Sequence, residues 1–295
     1  MSEIEFNHAF EFEYGIVTRV APDIRRIVAN NPGPFTGPGT STYIVGDTEV
    51  AVIDPGPMLP DHIDALLEGL GDVHISHILI THTHADHSPA SRLLQQRTGA
   101  ATFGFGPHLQ HSTDPLAHGA DQDFVPDFVV SDDELINGNG WSMRAIHTPG
   151  HCANHLCFAF NQQNALFCGD QLMAWSTPVI IPPDGNVLAY LHSLDQLAAQ
   201  DYSVLYPTHG RPVENPTVFI EQVKQHRLRR VQQVHDAIVA GIDHISAMRN
   251  LIYPDISSRL FGGAELTLLA YIEYLVDQGM VQRKNGNPPT YSILY

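Results

Sequence analysis

The sequence predicts an α+β fold, and three observations carry that expectation. Short β-branched runs broken by Gly and Pro recur from Ile16 to about Pro216. Helical stretches are inserted between them, and beyond Pro216 the pattern turns to three helices and then two short strands. With 295 residues and 43% hydrophobic content the chain can bury a large core, and it divides most simply into a larger domain over residues 1–216 and a smaller one over 217–295.

Each element follows in order. The runs Thr42 to Gly46 and Val50 to Asp54 read as strands that end at the turn Pro55-Gly56-Pro57. Asp61 to Gly71 reads as a helix with an acidic start and a glycine stop, and His74 to Thr81 is the next strand. Ser88 to Gly99 then reads as a helix with Ser88 at its cap and Pro89 in its first turn. Later strands are expected at Ser142 to Thr148, Asn164 to Gly169 and Tyr202 to Pro207. The tail offers an amphipathic helix from about Thr217 to Ala240 stopped by Gly241, and a second ended by Pro254. A third carries Leu268, Leu269, Ile272, Leu275 and Val276 at helical spacing. The last stretch, Met280 to Tyr295, reads as two strands around the turn at Asn285 to Pro289.

Fifteen basic against 32 acidic residues give a net charge of −17, so the average surface repels nucleic acid and anionic membranes. The acidic N-terminal stretch lacks the basic and apolar regions of a signal peptide, and no run of 18 apolar residues exists, so a cytoplasmic protein that does not engage membranes is expected. Cys152, Cys157 and Cys168, an odd number in a long chain, suit reduced thiols.

Directly after the strand at His74 to Thr81 stands Thr81-His82-Thr83-His84-Ala85-Asp86-His87-Ser88. Neutral imidazole and carboxylate are ligands of Zn²⁺ and other borderline divalent metals, and one short loop cannot close a tetrahedral shell. His82 and His84 alternate by two and point to one side of an extended segment, while the turn at Ala85 can aim Asp86 and His87 at a neighbouring point. Two metals are therefore expected. The remaining ligands are sought at His151, Asp170 and His209, each after an expected strand. His8, His62, His74, His108, His111, His118, His192, His235 and His244, each standing alone, read as histidines without a ligand role.

These residues resemble the metallo-β-lactamase-fold hydrolases. Thr81 to His87 is similar to their H-x-H-x-D-H loop, Thr148 to His151 to their next histidine motif, Gly169-Asp170 to their bridging carboxylate, and Pro207 to Gly210 to their last histidine. The resemblance implies an αββα sandwich with the site at one edge. It assigns His82, His84 and His151 to a first metal, Asp86, His87 and His209 to a second, and Asp170 to the bridge, with Asp86 and Asp170 taking part in catalysis. It also implies that Asp54 orients a ligand histidine. Two divalent ions per chain, Zn first and Fe, Mn or Ni also accommodated, would share and acidify a water. The reaction so implied is hydrolysis by a bridging hydroxide; the resemblance does not select the substrate, and a small ester, thioester or lactone is the expectation. His155 is expected to brace the site, and Cys152 and Cys168 to be buried small residues.

A narrower resemblance joins Asn30 to Gly46 and the helix after His209 to a subgroup with a C-terminal winged-helix-like domain, which includes a single-strand endoribonuclease. It opens RNA cleavage as the second reading, supported by Lys224, Arg227, Arg229, Arg230, Arg283 and Lys284 and opposed by the acidic average and the lack of interleaved aromatics. The blander expectation is that the tail packs beside the site or forms a homodimer interface. A third reading, of another class, is a mono-iron oxygenase or a non-catalytic metal-binding regulator. Between Asp170 and His209, the residues Trp175, Pro178, Ile180 and Ile181, with Ser176 and Thr177, are expected to wall an apolar substrate cleft.

Overall fold

The computed structural model of the chain describes residues 4–108, 119–286 and 288–294, so His111, His118 and Asn287 of the last turn lie outside the described residues. Seven strands, β1 (Thr18–Ala21), β2 (Ile24–Val28), β3 (Ser41–Gly46), β4 (Glu49–Ile53), β5 (His74–Leu79), β6 (Ala101–Gly104) and β7 (Phe128–Val129), lie in chain order in one sheet. β1 to β4 run antiparallel; β4, β5 and β6 run parallel because helices α1 (Pro60–Leu70) and α2 (Ser91–Thr98) return the chain. The second sheet holds β8 (Leu135–Gly138), β9 (Trp141–His147), β10 (Leu156–Phe160), β11 (Ala165–Gly169), β12 (Val204–Pro207) and β13 (Val213–Glu214). Its one parallel pair, β11 with β12, is bridged by α3 (Val187–Ala198).

Three apolar clusters set the layers. Ile24, Tyr43, Val45 and Ile53 of the first sheet meet Trp141, Met143, Phe158 and Phe167 of the second. Alternate residues of the first sheet, Ile27, Ile44, Val50 and Val52, face outward against Ile63, Leu66 and Leu94 of α1 and α2. On the other side, Cys157, Leu166 and Leu205 pack beneath Leu191 and Leu194 of α3. The order is helix, sheet, sheet, helix, in agreement with the expected sandwich.

The tail comprises α4 (Pro216–Val239), α5 (Ile245–Ile252), α6 (Phe261–Asp277) and an antiparallel hairpin of β14 (Val281–Lys284) with β15 (Thr290–Ile293). Ile220, Val223, Val234, Leu268, Ile272 and Tyr291 belong to the same cluster as the outer face of the second sheet, so the core runs without a break across residue 216. Among the described residues no helix is long and apolar enough to cross a membrane.

One boundary departs from the sequence expectation. The helix after the histidine loop begins at Ser91, and Ser88 is not its cap. The Ser88 hydroxyl donates instead to Asp121 Oδ2 at 2.8 Å, the carboxylate that Arg92 also holds, and this leaves residues 88–90 as the turn that carries His87 into the site.

Candidate metal centre

Every expected ligand leaves the C-terminal end of a strand at one edge of the sandwich: His82, His84, Asp86 and His87 after β5, His151 after β9, Asp170 immediately after β11, and His209 after β12. The structure brings all seven together in two groups. His84 Nδ1 stands 2.9 Å from both His82 Nε2 and His151 Nε2. His209 Nε2 lies 3.1 Å and His87 Nε2 3.7 Å from the Asp86 carboxylate. Asp170 stands between the groups, with Oδ1 3.5 Å from His87 and 3.4 Å from His209, and Oδ2 3.6 Å from His151.

The outward nitrogens decide which atoms face inward. His87 Nδ1 lies 2.9 Å from Asp54 Oδ2, His151 Nδ1 2.7 Å from the Val179 carbonyl and His209 Nδ1 3.2 Å from the Gly39 carbonyl. Each of these is an acceptor, so the ring proton sits on Nδ1 and the Nε2 lone pair points into the cluster. His87 Nε2, His209 Nε2 and Asp170 Oδ1 are buried without a hydrogen-bond partner. Such convergent, unpartnered acceptors are costly unless a cation neutralises them. Ligands on one tetrahedral metal with bonds near 2 Å stand roughly 3.3 Å apart, the spacing seen here, so the donor set fits metal ions.

The electrostatics agree. Burial, and then the neighbouring imidazoles, holds His82 far below the ordinary histidine range, and burial lowers His84 to about 3, so the first group is neutral and ready to coordinate. At His87 burial acts downward too, but the carboxylates of Asp170, Asp86 and Asp54 outweigh it and raise the pKa, so without a metal this ring favours a second proton on Nε2, in the place a cation would take. At Asp170 burial opposes ionisation, and His209, His87 and His151 overcome it and keep the group anionic.

The supports come from distant segments. Asp54 adopts φ 49°, a left-handed conformation that Asp tolerates better than most side chains. Its carboxylate accepts from Thr81 N at 2.9 Å, Thr81 Oγ1 at 2.7 Å, Thr208 Oγ1 at 3.0 Å and His87, tying two ligand loops, those after β5 and β12, to the end of β4. Asn31 accepts from Thr40 N at 2.9 Å, and Thr40 Oγ1 donates to the Asp86 carbonyl at 3.1 Å, so the loop before β3 holds the Asp86 turn. His155 is fully buried; its Nε2 accepts from Asp170 N at 3.2 Å and its Nδ1 lies 2.8 Å from Thr148 Oγ1. Gly169, at φ 51°, gives it room, since a Cβ there would stand 2.5 Å from that Nε2. Cys152 and Cys168 are free and buried, and burial pushes both thiols up. Cys152 also lies in a group with His84 and Asp184, the last a residue the sequence reading did not single out.

A cavity of about 370 Å³ opens from His84, Asp86, His151 and Asp170. Trp175, Ser176, Thr177, Pro178 and Ile181 line it, as expected; Ile180 does not, because adjacent residues of an extended segment point to opposite sides and Ile180 is buried in the core. The far wall was not foreseen: Arg227, Tyr253, Ile256, Leu260, Gly263, Ala264 and Thr267 all come from the tail. Their helical spacing looks the same whether a residue meets core or cavity, so periodicity carried no signal for them.

The metallo-β-lactamase superfamily model matches residues 34–209. A protein from Aspergillus sp. (strain MF297-2), lactamase-like protein notP, is 29% identical over 76% of this chain and 66% of its own length. An atrochrysone carboxyl ACP thioesterase of Aspergillus chevalieri is 31% identical over 75% of this chain and 68% of its own length. The matched region thus spans about two thirds of these relatives. A crystal structure of a metallo-β-lactamase family protein from Thermus thermophilus superposes with a TM-score of 0.78 at 22% identity, covering 93% of this chain and all of that one, and shares the fold. The chain belongs to the metallo-β-lactamase superfamily, a family of metal-dependent hydrolases.

Proposed function

We propose that the chain hydrolyses a small thioester, with esters and lactones as related substrates, at a centre of two divalent ions, zinc first. In this reading His82, His84 and His151 would hold one ion, Asp86, His87 and His209 would hold the other, and Asp170 would serve both. The observation that carries it is the pair of histidine groups joined by Asp170 at the end of a largely apolar cavity. Its similarity to a protein named as an ACP thioesterase supports the thioester.

Bound ions would supply Lewis-acid polarisation of the carbonyl and acidify water. The chain's own residues do the rest. Asp170 sets the separation of the two groups and balances their charge. Asp86, the cluster carboxylate with 26% of its side chain exposed, takes the proton released by the attacking water. The walls at Trp175, Pro178 and Ile181 exclude bulk water and seat the acyl group.

The RNA reading has less support, because three of its six basic residues are engaged within the chain. Lys224 pairs with Asp195, Arg227 is buried, and Arg230 lies over the Tyr253 ring at 4.6 Å. A mono-iron oxygenase would leave the Asp86, His87 and His209 group without a task. Incubating zinc-loaded protein with acyl thioesters, lactones and labelled single-stranded RNA tests the reading. Thioester turnover that is lost with Asp170→Ala supports it, and RNA cleavage without acyl turnover overturns it.

A further inference from the structure

The cavity that starts at the metal centre is lined on one side by the tail, and that lining includes a buried charge without a counter-ion among the described residues. Arg227 lines it from α4 and is only 2% exposed. One guanidinium nitrogen donates to Tyr271 Oη at 2.8 Å, another bonds the Pro178 carbonyl, and the group lies 5.1 Å from the Tyr190 ring. Its Nε has no partner, and among the described residues no carboxylate lies within 4.0 Å of the guanidinium. Lys224, Arg92 and Arg249, by contrast, each pair with an acid. A buried cation with no anion is expensive, so a fold that keeps one has a use for it.

The unpartnered atoms give the complementary chemistry. Among the cavity's lining residues three buried side-chain atoms lack a partner: Asp170 Oδ1 at the metal end, and Arg227 Nε and Trp175 Nε1. The last two are donors only. Phe35, Ile256 and Leu260 add apolar walls to the same cavity. A latch role, holding α4 to Pro178 and α6, accounts for the bonds at the two terminal nitrogens but not for the free Nε or the unbalanced charge.

We propose that Arg227 receives an anionic oxygen on the distal end of the acyl group, so that the preferred substrate is a thioester of an apolar acyl chain ending in a carboxylate. The proposal rests on the thioesterase reading. The carbonyl lies at the metal end, the apolar segment spans the cavity, and the carboxylate supplies the missing counter-charge. Arg227 is thus a specificity determinant outside the chemical step.

The test is calorimetric titration of the zinc-loaded full chain with two amides that cannot turn over, N-methyldecanamide and its counterpart bearing a terminal carboxylate. The carboxylate form should bind tighter by at least about tenfold, the size of one charge-assisted hydrogen bond. Arg227→Met should erase that preference, and Arg227→Lys should reduce it. Three results would overturn the proposal: no preference in the wild type; a preference that survives Arg227→Met, which would place the carboxylate on the metals; or equal weakening of both ligands in Arg227→Met. Should Arg227→Met fail to fold, an unaltered preference in Arg227→Lys overturns it as well. Thioester turnover without ligand preference would sink this inference and spare the hydrolase reading; ligand preference without turnover would do the reverse.

Discussion

At Asp54 a single carboxylate accepts from Thr81, Thr208 and His87, and so one residue before the turn at Pro55 sets two loops of the site. Asp54→Asn places an amide N–H₂ against donors and removes the acceptor that keeps the His87 proton on Nδ1. Metal affinity should fall on the order of 10- to 100-fold, read by competition with a chromogenic chelator; unchanged affinity would detach Asp54 from the centre. His62 behaves differently. It is buried, its Nε2 lies 2.9 Å from Thr42 Oγ1, its Nδ1 has no partner, and burial lowers its pKa to about 4. As pH falls, the unfolded chain takes up this proton near 6.5 while the native ring resists until about 4. The contribution to stability is therefore intact above 6.5 and is lost across that window, on the order of 3 kcal/mol. Urea midpoints at pH 7 and pH 5 should differ less in His62→Leu than in the wild type.

The strands, more than the loops, made the site legible. The ligand segments His82 to His87, His151, Asp170 and His209 each follow a β-branched or aromatic run that ends at Gly, Pro or Thr, and that pattern reads directly as a strand end. Where two signals compete the reading slips: Ser88 has the chemistry of a cap, but its hydroxyl finds Asp121, and nothing local announces a partner 33 residues on. Arg227 misleads in the same way. In the sequence it belongs to a basic run; in the fold, α4 turns it alone into the interior. The loop before β3 works at this scale too. Asn31 holds Thr40 at both its amide and its hydroxyl, and Thr40 holds the Asp86 turn. Asn31→Ala should leave the fold in place yet loosen the Asp86, His87 and His209 group first, so dialysis against a weak chelator should strip about one ion sooner than in the wild type. Simultaneous loss of both ions at the wild-type rate would contradict the brace.

Across the whole molecule, the continuity of the core beyond residue 216 governs behaviour. We propose residues 1–216 and 217–295 as two modules that share one core, since Ile220, Val223, Leu268 and Ile272 pack in the cluster that covers the second sheet. Unfolding should then be one cooperative transition by calorimetry, and a chain ending at residue 216 should expose that cluster and lose solubility; two resolved transitions would separate the modules. The tail also closes the cavity over the metal centre, so the whole chain is the unit to assay.

The most direct measurement of the central claim is a zinc titration into chelator-stripped wild-type protein, with thioester turnover and bound metal read on the same samples. Turnover that rises to a break at about two equivalents, and is lost in Asp170→Ala, is the predicted result. Full turnover in the stripped protein, or in Asp170→Ala, would contradict it.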